Sequence, residues 1–166
     1  MSKILVAYYS FEGTTELIAQ AIAEMTQADL LNIKPVHELK SKGFSKYFWG
    51  GSQVFMKKTP NLMAFGLDLS QYDQIFVGSP IWAGTFAPPI KSFLKDTALV
   101  NKKIYFFYTH DGGPGKVEKL AKQAIESRNS YGGSQGFLNV KKNFDANVEI
   151  AKMWISTLSH SYNSKK

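Results

Sequence analysis

The chain has 166 residues, enough for one domain that buries roughly 70% of its unfolded surface without covalent staples. It contains no cysteine, which excludes disulfides, thiolate metal sites and cysteine nucleophiles. Its formal charge of +7 is concentrated in residues 34–58, with six lysines against one acid; a polyanion partner and a solvated lysine-rich face both fit, and the single arginine, Arg128, favours the second because bidentate phosphate recognition uses arginine.

The first apolar run, Lys3 to Tyr9, is almost continuous, as expected for a central parallel strand covered on both faces. It ends at Ser10 and Glu12, too soon for the core of a signal peptide. No stretch approaches the roughly 20 apolar residues of a membrane helix, so the expectation is a cytoplasmic protein with no membrane partner. Leu17, Ile18, Ala21, Ile22 and Met25 then recur at helical spacing, which predicts a helix over Thr14–Gln27. Leu30–Val36 reads as a second strand.

Residues 41–68 interrupt the alternation with an aromatic and basic stretch around Gly50-Gly51, read as an irregular or partly helical excursion. Asp73–Val77 is the third strand, closed by Gly78. Pro88-Pro89 suit the first turn of a helix that buries Ile90, Phe93 and Leu94. Ile104–Tyr108 is the fourth strand, followed by a helical pattern at Val117, Leu120, Ala121, Ala124 and Ile125. Gln135–Val140 is a weaker fifth strand, since glycines at 132, 133 and 136 lower its propensity. A last helix from about Asp145 buries Val148, Ala151, Ile155 and Leu158. Long βα crossovers of this kind specify a doubly wound α/β fold with a five-stranded parallel sheet, as one domain over 1–160 with a disordered tail at 161–166.

Three stretches follow the first, third and fourth strands: Ser10-Phe11-Glu12-Gly13-Thr14-Thr15, Ser79-Pro80-Ile81-Trp82-Ala83-Gly84-Thr85, and Thr109-His110-Asp111-Gly112-Gly113-Pro114-Gly115. In a sheet of order 2-1-3-4-5 those strands are adjacent, and ligands bind beyond their carboxyl ends. The first stretch offers hydroxyls and backbone N–H groups at a helix start, suited to a phosphate; the second offers a flat aromatic; the third offers backbone that can approach a ring. Together they read as a site for a nucleotide-like ligand. Other chemistry lacks its motif. The glycines at 112, 113 and 115 miss the G-x-G-x-x-G spacing, Gly115-Lys116-Val117 is no phosphate-binding P-loop, and Ser79 sits outside a nucleophile elbow. His37, His110 and His160 are scattered without metal-ligand spacing.

Ser10-x-x-Gly13-x-Thr15, Gly78-Ser79-Pro80-Ile81-Trp82-x-Gly84 with Pro88-Pro89, and Thr109-x-x-Gly112-Gly113-x-Gly115 resemble, in order, the phosphate loop, the ring-binding loop and the third loop of the flavodoxin family, in its short-chain form, over nearly the whole chain. The resemblance implies a three-layer flavodoxin-like sandwich and an FMN cofactor. It implies electron transfer to redox protein partners or a small-molecule acceptor, with an NAD(P)H-dependent quinone reductase on the same fold as the alternative. The cofactor-binding residues it implies are Ser10, Phe11, Glu12, Gly13, Thr14, Thr15, Ser79, Pro80, Ile81, Trp82, Ala83, Gly84, Thr109, His110, Asp111, Gly112, Gly113 and Gly115. No side chain is required for acid–base catalysis. Glu12 stands where the family usually has a hydroxyl residue, and is expected to contribute backbone only and turn its carboxylate to solvent. Thr14 or Thr15 could instead be a plain helix cap, Trp82 a core residue, and His110 either a ring contact or a loop brace. Nucleic-acid binding through Lys40, Lys42, Lys46, Lys57 and Lys58 among aromatics is the least favoured reading.

Overall fold

Leu5, Val6 and Ala7 have no exposed surface because strand β1 (Ile4–Tyr8) lies at the interior of a sheet covered on both faces. The computed structural model describes residues 2–38, 59–96 and 98–163, with side chains described through residue 159. After β1 come α1 (Thr14–Thr26), β2 (Asp29–Asn32), β3 (Gln74–Trp82), β4 (Thr85–Phe86), α2 (Pro88–Phe93), β5 (Lys103–His110), α3 (Val117–Glu126), β6 (Ser130–Leu138) and α4 (Phe144–Asn163). The order β2-β1-β3-β5-β6 is parallel throughout, and β4 pairs antiparallel with the end of β3.

Alternation along the strands divides the core. Leu5, Ala7, Ile75, Val77, Ile104 and Phe106 face Ile90 and Phe93 of α2 and Val117, Ala121 and Ile125 of α3. Val6, Tyr8, Phe76, Tyr105 and Phe107 face Ile18 and Ile22 of α1 and Ala151 and Trp154 of α4. Helical spacing on α1 and α3 thus predicts the buried faces, although Leu120 is exposed. Among the described residues, no helix is long and apolar enough to cross a membrane.

Four boundaries differ from expectation. Strand β2 stops at Asn32, and Pro35 instead bridges Leu62; residues 59–65 therefore run beside the chain that follows β2, while 39–58 lie outside the described residues. Strand β3 continues to Trp82 because a two-residue turn, Ala83-Gly84 with φ of 50° and 75°, folds it back onto β4, the left-handed geometry that matches strand twist. Strand β6 begins at Ser130, earlier than expected. Its glycines serve packing: a Cβ on Gly132 would lie 2.4 Å from the Tyr105 ring and one on Gly136 2.6 Å from that of Tyr108, so low strand propensity is offset by two tyrosine rings laid on the backbone. Helix α4 runs to Asn163, taking in three residues of the expected tail; 164–166 lie outside the described residues.

Gly78 shows how tightly the central strands meet. It pairs with Phe107 on β5, and a Cβ there would come within 2.1 Å of the phenyl ring. Gly78→Ala should destabilise the protein by about 1–3 kcal/mol through overpacking, read as a lower urea midpoint at unchanged slope. An unshifted midpoint would show that the ring can yield.

A cleft at the carboxyl ends of three strands

Strand β1 delivers the chain to the first loop, where the Tyr9 N–H donates to the Gly78 carbonyl at 3.0 Å. The loop turns into α1 at Gly13, whose φ of 82° is left-handed and which caps the helix with no side-chain hydrogen bond. Neither Thr14 nor Thr15 is therefore the cap, and the N–H groups of the first turn have no side-chain oxygen from a cap residue. Within that turn, Glu16 N–H donates to Ser10 Oγ, which lies before the cap residue, at 3.3 Å. Glu12 is exposed, consistent with a side chain turned to solvent. Thr15 is buried, and its hydroxyl shares a 2.8 Å hydrogen bond with that of Thr109 on β5.

The second loop is the β3–β4 hairpin. Trp82 lines the cleft but is only 6% exposed. Its indole is met edge-on by Tyr9 at 5.5 Å and by Phe11 at 6.0 Å between ring centroids, so it joins the core and the site at once. Ser79 has a different place. It is fully buried, donates to the Pro80 carbonyl and accepts from the Ala87 N–H, both at 2.8 Å, and so fixes the start of α2 from beneath.

The third loop leaves β5 at His110, which lines the cleft, tilts against Tyr108 and hydrogen-bonds the Gly112 carbonyl through Nδ1. It therefore braces the loop. Tyr108 turns inward, as its strand position suggests, and donates to Glu118. The second and third loops interlock: Lys116 N–H donates to the Gly84 carbonyl at 3.0 Å, and a Cβ on Gly115 would lie 2.6 Å from Gly84 Cα. With φ of 61°, Gly115 is doubly bound to be glycine.

These loops enclose a cleft of about 480 Å³ lined by Ser10–Glu12, Thr14, Thr15, Pro80–Gly84 and Thr109–Gly113. Of the residues that the sequence nominates, Gly13, Ser79 and Gly115 do not line it; the first shapes the helix start, the second braces the hairpin and the third seals loop to loop. Among the described residues, none that line it is Lys or Arg, and the ionisable ones are Glu12, His110 and Asp111. Among the described residues, no group of His, Asp or Glu is arranged to hold a metal.

Sequence reasoning missed the supports beneath this surface. Tyr8, Tyr9 and Tyr108 donate to Glu16, Glu38 and Glu118 at 2.8, 2.6 and 2.6 Å, tying both sides of the cleft floor to neighbouring segments. Burial, and then the adjacent carboxylate, push all three phenols well above the ordinary tyrosine range. A buried Tyr leaves no periodic signal beyond that of any apolar residue.

The flavodoxin family model matches residues 3–156 of the chain. Its fold is shared with a candidate flavoprotein of Bacteroides eggerthii, 24% identical over 96% of this chain and 99% of that one, with a TM-score of 0.80. A flavoprotein of Lactobacillus acidophilus in complex with FMN is 24% identical over 82% and 93%, with a TM-score of 0.69. Flavodoxin 2 of Bacillus cereus, in oxidised form, is 18% identical over 96% and 99%, with a TM-score of 0.60.

The raised tyrosines set a pH limit. Above their ordinary value of about 10 the unfolded chain loses protons that the folded chain keeps, so stability is present below pH 10 and falls as pH rises beyond it. Tyr9→Phe combined with Tyr108→Phe should flatten this alkaline loss in urea titrations between pH 8 and 11, pH values chosen to bracket about 10. A loss as steep as in the parent chain would contradict the assignment.

Proposed function

We propose, on the premise that the chain belongs to the flavodoxin family, that its cleft binds FMN and that the protein carries electrons between redox protein partners. The observation that carries this reading is the meeting of a phosphate-type loop, an aromatic hairpin and a glycine-rich loop in one cleft. Its volume of about 480 Å³ falls in the usual range for small-molecule sites, roughly 300–1,000 Å³.

The donor set suits the cofactor at both ends. A phosphate would meet the start of a 13-residue helix whose cap residue supplies no side-chain oxygen, with the hydroxyls of Ser10 and Thr14 beside it, where N–H groups and the helix dipole favour a dianion. The Thr15 hydroxyl shares its hydrogen bond with Thr109; with Thr109 as the donor, Thr15 would keep its own proton for a phosphate oxygen. At the other end Pro80–Gly84 and Thr109–Gly113 would flank a flat ring, with Trp82 excluding water. FMN, when bound, supplies reversible one- and two-electron transfer; the polypeptide orients it and sets its electrostatic surroundings.

Carrier function is favoured over NAD(P)H-dependent reduction of a quinone by the lining itself, which among the described residues offers no lysine or arginine to the phosphates of a second nucleotide. The lysines of residues 39–58, five with no acid among them, would bias partner choice toward acidic proteins.

Protein purified in the dark is expected to be yellow and to release FMN rather than FAD. NADPH alone should leave its visible flavin band intact, while chemical reduction bleaches it. Colourless protein that cannot be reconstituted with FMN would overturn the cofactor assignment. Prompt bleaching by NADPH without a reductase would replace the carrier by the quinone-reductase reading.

A further inference from the structure

The cleft presents a charge problem. Its lining includes two acidic residues, Glu12 and Asp111, and, among the described residues, no Lys or Arg, yet a phosphate monoester brings a charge of about −1.5 to −2 at neutral pH. Among the described residues, a cation from outside the lining reaches the phosphate-type loop. Lys141 Nζ donates to the Glu12 carbonyl at 2.8 Å, across 129 residues of sequence.

The turn that presents Lys141 is held from several sides. Val140, the residue before it, is fully buried. Asn139 N–H donates to the His110 carbonyl at 2.9 Å, and its own carbonyl accepts from Lys142 and Asn143 N–H at 3.0 Å each. Asn147 Nδ2 clamps the turn from α4 by donating to the Leu138 and Asn143 carbonyls at 3.1 and 2.8 Å. That clamp has a cost: Asn147 is 3% exposed, and among the described residues its Oδ1 accepts nothing, a loss that a fixed turn can offset. The backbone of Lys141 is thus set beside the loop while its ammonium, on a flexible four-carbon stem, stays free to pass from a carbonyl to a phosphate oxygen.

We infer that Lys141 is a specificity-determining residue of the cleft, selecting a phosphorylated flavin over the unphosphorylated one by placing its charge against the loop that carries Glu12. The inference rests on the FMN reading above. Lys141 meets the Glu12 backbone carbonyl, and its positive charge there offsets the carboxylate that this anion loop carries. A lysine that merely clasped the turn would affect folding stability and leave ligand discrimination alone.

The test titrates full-length apoprotein with FMN and, separately, with riboflavin, following the quenching of flavin fluorescence at low and at moderate salt. Lys141→Met should weaken FMN about two- to fivefold, the scale for one exposed ion pair, and leave riboflavin unchanged. The FMN affinity should also become less sensitive to salt. Lys141→Arg should restore most of the preference, and Lys142→Met, with the same change of net charge one residue on, should keep the parental ratio. If the parent binds FMN and Lys141→Met keeps the parental ratio of FMN to riboflavin affinity, this inference fails alone. If the parent binds neither flavin, the cofactor reading fails and takes the inference with it.

Discussion

Parallel pairing of β1, β3 and β5 in level register is the constraint on which the site depends. Tyr8 stands opposite Gly78 and Gly78 opposite Phe107, so the three strands run in the same direction side by side, and although β3 and β5 continue beyond the end of β1, whatever follows each emerges on one edge. Parallel neighbours require crossovers, and the crossover helices cover both faces. The same requirement explains why Leu5, Val6 and Ala7 are all apolar and why segments nearly 70 and 100 residues after Ser10 come to lie beside it.

What keeps the loops in shape at that edge is largely uncharged. A shared hydroxyl bond joins Thr15 to Thr109, a backbone bond joins Lys116 to Gly84, and another joins Asn139 to His110. Each crosses between segments that belong to different βα units, so the loops form one connected rim. Left-handed backbone gathers there too, at Gly13, Ala83, Gly84 and Gly115. Ala83 is the one of these with a Cβ; its conformation costs on the order of 1 kcal/mol, and it persists because the hairpin on either side admits only that turn. Beneath the rim, tyrosine–carboxylate pairs tie Tyr8, Tyr9 and Tyr108 in place.

The fold and most of the cleft were legible because their causes are local. Continuous apolar runs mark β1, β3 and β5, and helical spacing marks α1 and α3, whatever the rest of the chain does. The three loops are legible because glycine and hydroxyl residues cluster immediately after those runs. What escaped depends on partners distant in sequence. The start of β6 is hidden because Gly132 and Gly136 look unfavourable until Tyr105 and Tyr108 are placed against them. Ser79 looks like a ligand contact until Ala87 is seen to donate to it. From the sequence Trp82 fits either a ring-facing or a core position, and it lies at the boundary of both. Nothing in the sequence near Lys141 hints at Glu12, since only the placing of β6 next to β5 brings its turn to the first loop. The basic aromatic stretch at 41–58 lies outside the described residues and adds nothing to this comparison.

The central claim is that three separate loops act as one binding site for FMN. Amide chemical shifts of isotope-labelled apoprotein, followed as FMN is added, test it most directly. Residues 10–15, 80–84 and 109–113 should shift together and saturate at one equivalent, while residues 101–103 and 126–130 at the opposite end of the sheet stay in place. Shifts confined to a single loop, or centred at that opposite end, would contradict it.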